Sequence, residues 1–259
     1  MNQSLLVKVF GFRATLIHGD TLVLDRWRWL KRRLPVTRNG EKLIDIGCGT
    51  GAFTLGATRR GYESLGLSWD IRNQTTAAFR AKLCNLNQAH FEVQDVRQLR
   101  ERTDLLNSYD VAICCENIEH IMDDTKLLIE IANCLKPGGR LLLTTPYLYY
   151  RPINTLGEVG PFSAIEDGGH VRRGYTEAML AELCERAGLV VERVSFCSGF
   201  LSQKITYLLR GLVRIHPLVG WILILPLRVL PPLFDGLITA GTRWPSYSIC
   251  LEAYKRRYA

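Results

Sequence analysis

Residues 43–53, LIDIGCGTGAF, constrain this 259-residue chain more than any other stretch. An apolar run breaks into three glycines at alternate positions, Gly47, Gly49 and Gly51, and then gives way to a helix-forming segment. A strand–glycine–helix unit of this kind lets backbone pass close beneath a nucleotide. A dinucleotide fingerprint reads G-x-G-x-x-G, and here the third glycine comes one residue early. A phosphate-cradling loop needs Gly-Lys-Ser/Thr, which the chain lacks.

Strand and helix patterns alternate around that unit. Strand-like runs occupy 42–46, 62–68, 90–95, 109–116, 140–146 and 189–196, and 246–257 alternates like a last, half-exposed strand. Helical patterns cover 22–35, 52–60, 72–85, 123–135 and 176–188, the last capped by Thr176 and stopped by Gly188. This order predicts an α/β fold, a Rossmann-like, mostly parallel seven-stranded sheet with helices on both faces, plus an apolar helical insertion before the last strand. The expected divisions are a basic N-terminal helical segment (1–40), the cofactor-binding core (41–197), the insertion (198–245) and a closing strand (246–259).

Charge is unevenly spread. Residues 1–45 carry nine Lys/Arg against four Asp/Glu and residues 201–259 eight against two, whereas 46–200 hold sixteen against nineteen. The basic character therefore belongs to the two ends, as suits a nucleic-acid reader or a protein resting on anionic lipid. The eight cysteines form no C-x-x-C pair and several lie in apolar runs, so reduced, buried thiols in a cytoplasmic setting are expected. The N-terminus has Lys8 inside a short apolar stretch and no small-residue cleavage site, and no signal peptide is expected.

Five motifs in order make the chain resemble the class I S-adenosylmethionine-dependent methyltransferases of the small-molecule type. LIDIGCGTG is similar to their first motif, and FEVQD, ending at Asp95, to the one whose acid meets the adenine amino group. YDVAICCENIEHI, LKPGGRLLLTTP and GHVRRGYTEAMLAELCERAGL resemble the fourth strand and its substrate-side turn, the fifth strand, and the loop and helix that follow. The resemblance implies S-adenosyl-L-methionine as cofactor, with contacts from Asp45, Gly47, Gly49, Gly51, Asp95, Val96 and Cys115. The chain departs from the family where a carboxylate usually grips the ribose: Ser68 stands there and Asp70 two residues later. Either Asp70 reaches back, or Ser68 makes a single hydrogen bond while Trp69 covers the adenine. Asp70 suits equally the cap of the next helix.

Methyl transfer needs alignment and, for some acceptors, a base. Candidates lie where the fourth and fifth strands end: His120 and Glu116 in ENIEH, and His170 at the end of the loop 146–170. Glu119, Tyr147, Arg172 and Tyr175 are the expected substrate contacts. Glu116, Glu119, Asp167 and His170 offer metal-type donors, but no spacing demands an ion and none is expected. The loop PYLYYRPINTLGEVGPF carries four Tyr or Phe and no basic run, which suits a small or lipid-like acceptor.

The stretch 215–238 is almost wholly apolar, yet Arg228 and prolines 217, 226, 231 and 232 interrupt it, which argues against one straight membrane span. Flanking basic residues make an anionic membrane surface the expected partner of residues 204–244, with an active-site cover or a dimer interface as alternatives. The function expected is O-methylation by a cytoplasmic, peripheral enzyme. The rivals are a non-catalytic cofactor-binding partner protein and a dinucleotide-dependent oxidoreductase or epimerase. The neutral middle and CENI, where DNA methyltransferases carry Asn/Asp-Pro-Pro-aromatic, disfavour nucleic acid.

Overall fold

The computed structural model describes residues 3–17, 21–153 and 160–257. Seven strands form one sheet: β1 (Lys42–Ile46), β2 (Glu63–Ser68), β3 (Ala89–Val93), β4 (Tyr109–Cys115), β5 (Leu135–Pro146), β6 (Leu189–Cys197) and β7 (Ser248–Lys255). Their order is β3-β2-β1-β4-β5-β7-β6. All pairs are parallel except those of β7, which runs antiparallel between β5 and β6. The chain reverses direction from β1 outward on both sides, so the carboxyl ends of β1 and β4 open a crevice at the switch point.

Among the described residues ten α-helices accompany the sheet: α1 (Gln3–Phe10), α2 (Phe12–Ile17), α3 (Thr21–Arg33), α4 (Ala52–Thr58), α5 (Ile71–Leu83), α6 (Asp124–Cys134), α7 (Glu177–Arg186), α8 (Phe200–Ile215), α9 (Pro217–Ile224) and α10 (Leu230–Thr242). Two buried clusters line the two faces of the sheet. One gathers Ile44, Ile46, Leu128, Ile131 and Leu143 under α6 and α7; the other gathers Leu43, Ile113 and Leu142 with Trp27 and Leu30 of α3. Trp27 lies where a side chain on Gly56 would stand, so α3 seats directly against α4. Trp29 Nε1 donates to Ser195 Oγ at 3.0 Å, and Arg33 pairs with Glu252 at 2.7 Å. The N-terminal helix is thus an outer layer of the core.

Two readings of the sequence change. β7 is not half exposed: seven of its eight residues are buried, because it lies between β5 and β6 and packs on both faces, Cys250 in the cluster with α3 and Ile249, Leu251 and Ala253 in the one under α6 and α7. The KPGG segment does not separate α6 from β5 as a turn but is drawn into the start of β5, where the ladder with β4 shifts register between Tyr109 and Val111.

The insertion folds as α8, α9, a tight turn at Pro226–Val229 and α10, held to the core at its base. Asp235 accepts from the backbone of Gly199 (2.8 Å) and Leu201 (2.7 Å), and Thr239 Oγ1 from that of Phe200. Among the described residues no single helix is long and apolar enough to cross a membrane; Val219–Arg228 and Leu230–Thr242, bent by 67°, meet that length and composition only as a pair.

Candidate active site

β1 ends at Ile46 and the chain turns through Gly47, Gly49 and Gly51, all with positive φ. The glycines serve different ends. A Cβ on Gly47 would stand 2.5 Å from Asn117 Cγ, and one on Gly51 2.7 Å from Phe91 Cε1 and 2.9 Å from Ala77 Cβ. A Cβ on Gly49 meets no protein atom within 4 Å, although Gly49 lines the cleft. Gly51 is therefore a close-packing residue, and the space beside Gly49 is left for a ligand.

That cleft has a volume of about 490 Å³, within the range of small-molecule sites. Of the residues expected to hold the cofactor, Gly47, Gly49, Ser68, Trp69, Asp95 and Val96 line it. Asp45, Gly51, Asp70 and Cys115 do not. Asp45 is buried behind the turn and accepts from Thr54 Oγ1 at 2.7 Å; burial pushes its carboxyl up to about 7. Asp70 caps α5, accepting from Arg72 N at 2.8 Å and pairing with the Arg72 guanidinium, which holds it below the usual carboxylate range. Ser68 and Trp69 do line the cleft, joined by Asn73 from the first turn of α5, which sequence reasoning missed. The cradle fits S-adenosylmethionine: it offers open space beside Gly49, an exposed indole and no phosphate-type cation cluster.

The loop 163–172 roofs the cleft. Glu166 accepts from Arg97 Nη1 at 2.8 Å and from Met122 N at 2.5 Å. Arg97 also holds both oxygens of Asp95, and that hydrogen bonding lowers the Asp95 pKa. The strap Asp95–Arg97–Glu166 thus joins the turn after β3 to the roof. Residues 154–159, the middle of the expected aromatic cover, lie outside the described residues.

At the acceptor side three expected residues meet. The His120 and His170 rings lie edge to face with centroids 4.6 Å apart, and His120 Nδ1 is 2.9 Å from the Gly169 carbonyl oxygen. A carbonyl only accepts, so Nδ1 donates to it, and in the neutral ring the lone pair is on Nε2. Glu119 is fully buried; burial first, and the nearby Glu116 charge second, push its carboxyl well above the usual range. Its Oε2 accepts from Thr145, whereas Oε1 has no hydrogen-bond partner and lies 4.0 Å from His120 Nε2. Glu119, His120 and His170 each bring one ligand-type atom within 4.8 Å of the others, a donor set that also suits a divalent ion.

Glu116 is differently placed from a free base. Its carboxylate accepts from Thr144 (3.2 Å) and Ser248 (3.1 Å) and lies 3.7 Å from Arg26 of α3, so it forms a fixed wall of the cleft. Arg172 and Tyr175 both bond Asp124, and Arg172 also donates to the Met122 carbonyl, so they anchor the roof loop. Tyr147 packs edge-on against Tyr149 and Phe196, at centroid distances of 5.4 and 5.0 Å, and does not line the cleft.

The model of the methyltransferase domain family matches residues 21–194. A ubiquinone biosynthesis O-methyltransferase from Aeromonas salmonicida is 30% identical over 162 residues, covering 60% of this chain and 66% of that protein, so the chain spans just under two thirds of that relative. Among solved structures, a putative sarcosine dimethylglycine methyltransferase from Galdieria sulphuraria superposes with TM-score 0.63 at 18% identity, over 90% of this chain and 86% of that one. The cyclase SpnF superposes at 0.61 and 21% identity, over 91% and 83%. The two likenesses establish the fold, and the family match, spanning most of the chain and including the glycine turn, establishes membership. The chain belongs to the class I S-adenosylmethionine-dependent methyltransferases.

Proposed function

We propose that the protein methylates a hydroxyl oxygen of a small, lipid-like acceptor, of the kind a quinone-type intermediate presents, while resting on an anionic membrane surface. The observation that carries the reaction is His120: its Nδ1 is committed to the Gly169 carbonyl, and its ring lines the cleft. S-adenosylmethionine supplies a methyl group already activated on a sulfonium sulfur. The protein's task is to align the acceptor and take its proton. His120 Nε2 removes the hydroxyl proton as the oxygen bonds to the methyl carbon and the carbon–sulfur bond breaks, leaving an ether, a neutral thioether and an imidazolium that loses its proton to solvent. The His170 ring, packed edge to face with it, and the Nδ1–Gly169 hydrogen bond hold the imidazole in place. Similarity to an O-methyltransferase of ubiquinone biosynthesis supports oxygen and an apolar acceptor.

Membrane contact is supported by the insertion's surface. Ile215 (82% exposed), Leu237 (76%), Ile222, Leu223, Leu233 and Phe234 present apolar side chains to solvent, more than a monomer scatters singly. Around them stand Lys204, Arg214 and Arg243, and the stretch 198–245 holds one acid, Asp235, which is turned inward to cap α8.

The test incubates the protein with methyl-labelled S-adenosylmethionine and a whole-cell extract, then partitions the products between organic solvent and water. Label in the organic phase is expected. Label confined to water overturns the lipid-like acceptor and makes 215–238 a lid or a subunit interface.

A further inference from the structure

At the base of the insertion two cations rest on one indole. The Arg151 guanidinium lies 4.2 Å and the Lys204 ammonium 4.4 Å from the centroid of the Trp244 ring. Phe200 closes the platform edge-on, its centroid 5.2 Å from that of Trp244, and Lys204 lies 5.5 Å over it as well. The indole is locked: Trp244 Nε1 donates to Gln203 Oε1 at 3.0 Å, while Gln203 Nε2 donates to the carbonyls of Ser198 and Pro245. Among the described residues neither cation has a carboxylate within ion-pair distance, whereas Arg26, Arg33, Arg97, Arg102, Arg140 and Arg172 all do.

Two unneutralised cations held against one ring repel each other, and an anion beside the ring removes that repulsion. The platform's position says which anion. Lys204 begins the exposed stripe of α8 that continues through Tyr207, Leu208, Gly211 and Ile215 at helical spacing. Trp244 lies two residues past the end of α10, whose exposed face carries Leu233, Leu237 and Ala240. An anion bound here lies where the two apolar stripes meet the protein, at the depth where a lipid carries its phosphate. Arg151 belongs to the loop that follows β5, one residue from Tyr150, whose ring packs 4.8 Å from that of Tyr247. The platform therefore joins the membrane-facing hairpin to the acceptor loop.

We infer that Arg151, Lys204 and Trp244 form a binding site for the phosphodiester headgroup of an anionic phospholipid in a bilayer. This rests on the membrane reading above and adds to it a specific headgroup contact.

The experiment measures sedimentation of the full-length protein with vesicles of phosphatidylcholine and of phosphatidylcholine containing phosphatidylglycerol. Three proteins are compared: wild type, Arg151→Gln/Lys204→Gln, and Arg214→Gln/Arg243→Gln, which removes the same charge elsewhere on the insertion. The wild type is expected to prefer phosphatidylglycerol vesicles, and the Arg151/Lys204 pair to lose up to about thirtyfold of that preference, at about fivefold per cation. Binding to phosphatidylcholine alone is expected to persist in that variant, and the Arg214/Arg243 pair to keep most of the preference. Equal losses in the two double variants, or none in the first, overturn the headgroup site and leave membrane contact standing. A wild type that binds neither vesicle overturns the membrane reading, and the site with it. Competition by soluble glycerophosphoglycerol at equal headgroup concentration overturns the requirement for a bilayer.

Discussion

Gly49 and Gly51 sit two residues apart in one turn, and their substitution by alanine is expected to separate binding from stability. Both have positive φ, 51° and 79°, so each alanine carries left-handed strain of about 1–2 kcal/mol. At Gly51 the added methyl also meets two Phe91 ring carbons at 2.7 and 2.8 Å and Ala77 Cβ at 2.9 Å. Such overpacking costs a further 1–3 kcal/mol or so. At roughly 2–4 °C per kcal/mol for a chain of this size, Gly51→Ala lowers the melting temperature by about 4–20 °C and Gly49→Ala by about 2–8 °C. Binding reverses the order. The Gly49 methyl enters the cleft, so cofactor affinity falls tenfold or more by calorimetry, whereas Gly51→Ala protein that remains folded binds within about threefold of wild type, since Gly51 does not line the cleft. If Gly49→Ala bound normally while Gly51→Ala lost affinity, the division of labour argued here for the turn would be wrong.

His120→Ala is expected to lower kcat by about 10²- to 10⁴-fold with cofactor affinity retained, which separates a base from a binding residue. Glu166→Gln weakens the strap to Arg97 and Met122, and a several-fold rise in KM for S-adenosylmethionine at nearly constant kcat is expected from steady-state rates. Asp45 titrates near 7 when folded and near 3.8 when unfolded, so the folded state keeps a proton that the unfolded state has released. Its contribution to stability is therefore lost as pH rises from about 4 to 7, by at most about 1.4 kcal/mol per pH unit. Asp45→Asn should flatten that slope when urea midpoints at pH 5 and 8 are compared with wild type. Dialysis against EDTA decides between proton and ion at Glu119, His120 and His170: a histidine base keeps its rate, and an ion-dependent site loses it until Mg²⁺ or Mn²⁺ is returned.

The sheet was legible because its strands are apolar runs punctuated by glycine and proline, and βαβ order leaves little choice of topology. The position of β7 was not legible as buried: alternation in SYSICLEAYK signals one wet face, whereas helices cover both, with Cys250 in the cluster under α3 and Ile249, Leu251 and Ala253 in the one under α6 and α7. His120 and His170 could be paired as candidates because both fall at strand ends on one sheet edge. The roles of Arg172 and Glu116 were not legible: their partners, Asp124, Arg26 and Ser248, are far apart in sequence and are joined by tertiary folding alone. Asp70 was ambiguous for a local reason. Asp at a helix start serves as a cap in any sequence, and Arg72 two residues on takes up both of its oxygens.

The most direct measurement follows the fate of the methyl group itself. Purified protein is mixed with ¹³C-methyl S-adenosylmethionine and the apolar fraction of a lipid extract, and S-adenosylhomocysteine is quantified beside the carbon spectrum of the product. Homocysteine-form cofactor accumulating in step with a new methyl-ether carbon, and neither appearing with His120→Ala, is the predicted result. Cofactor bound but never converted, with any extract, would contradict the account and leave a methyltransferase fold without methyl transfer.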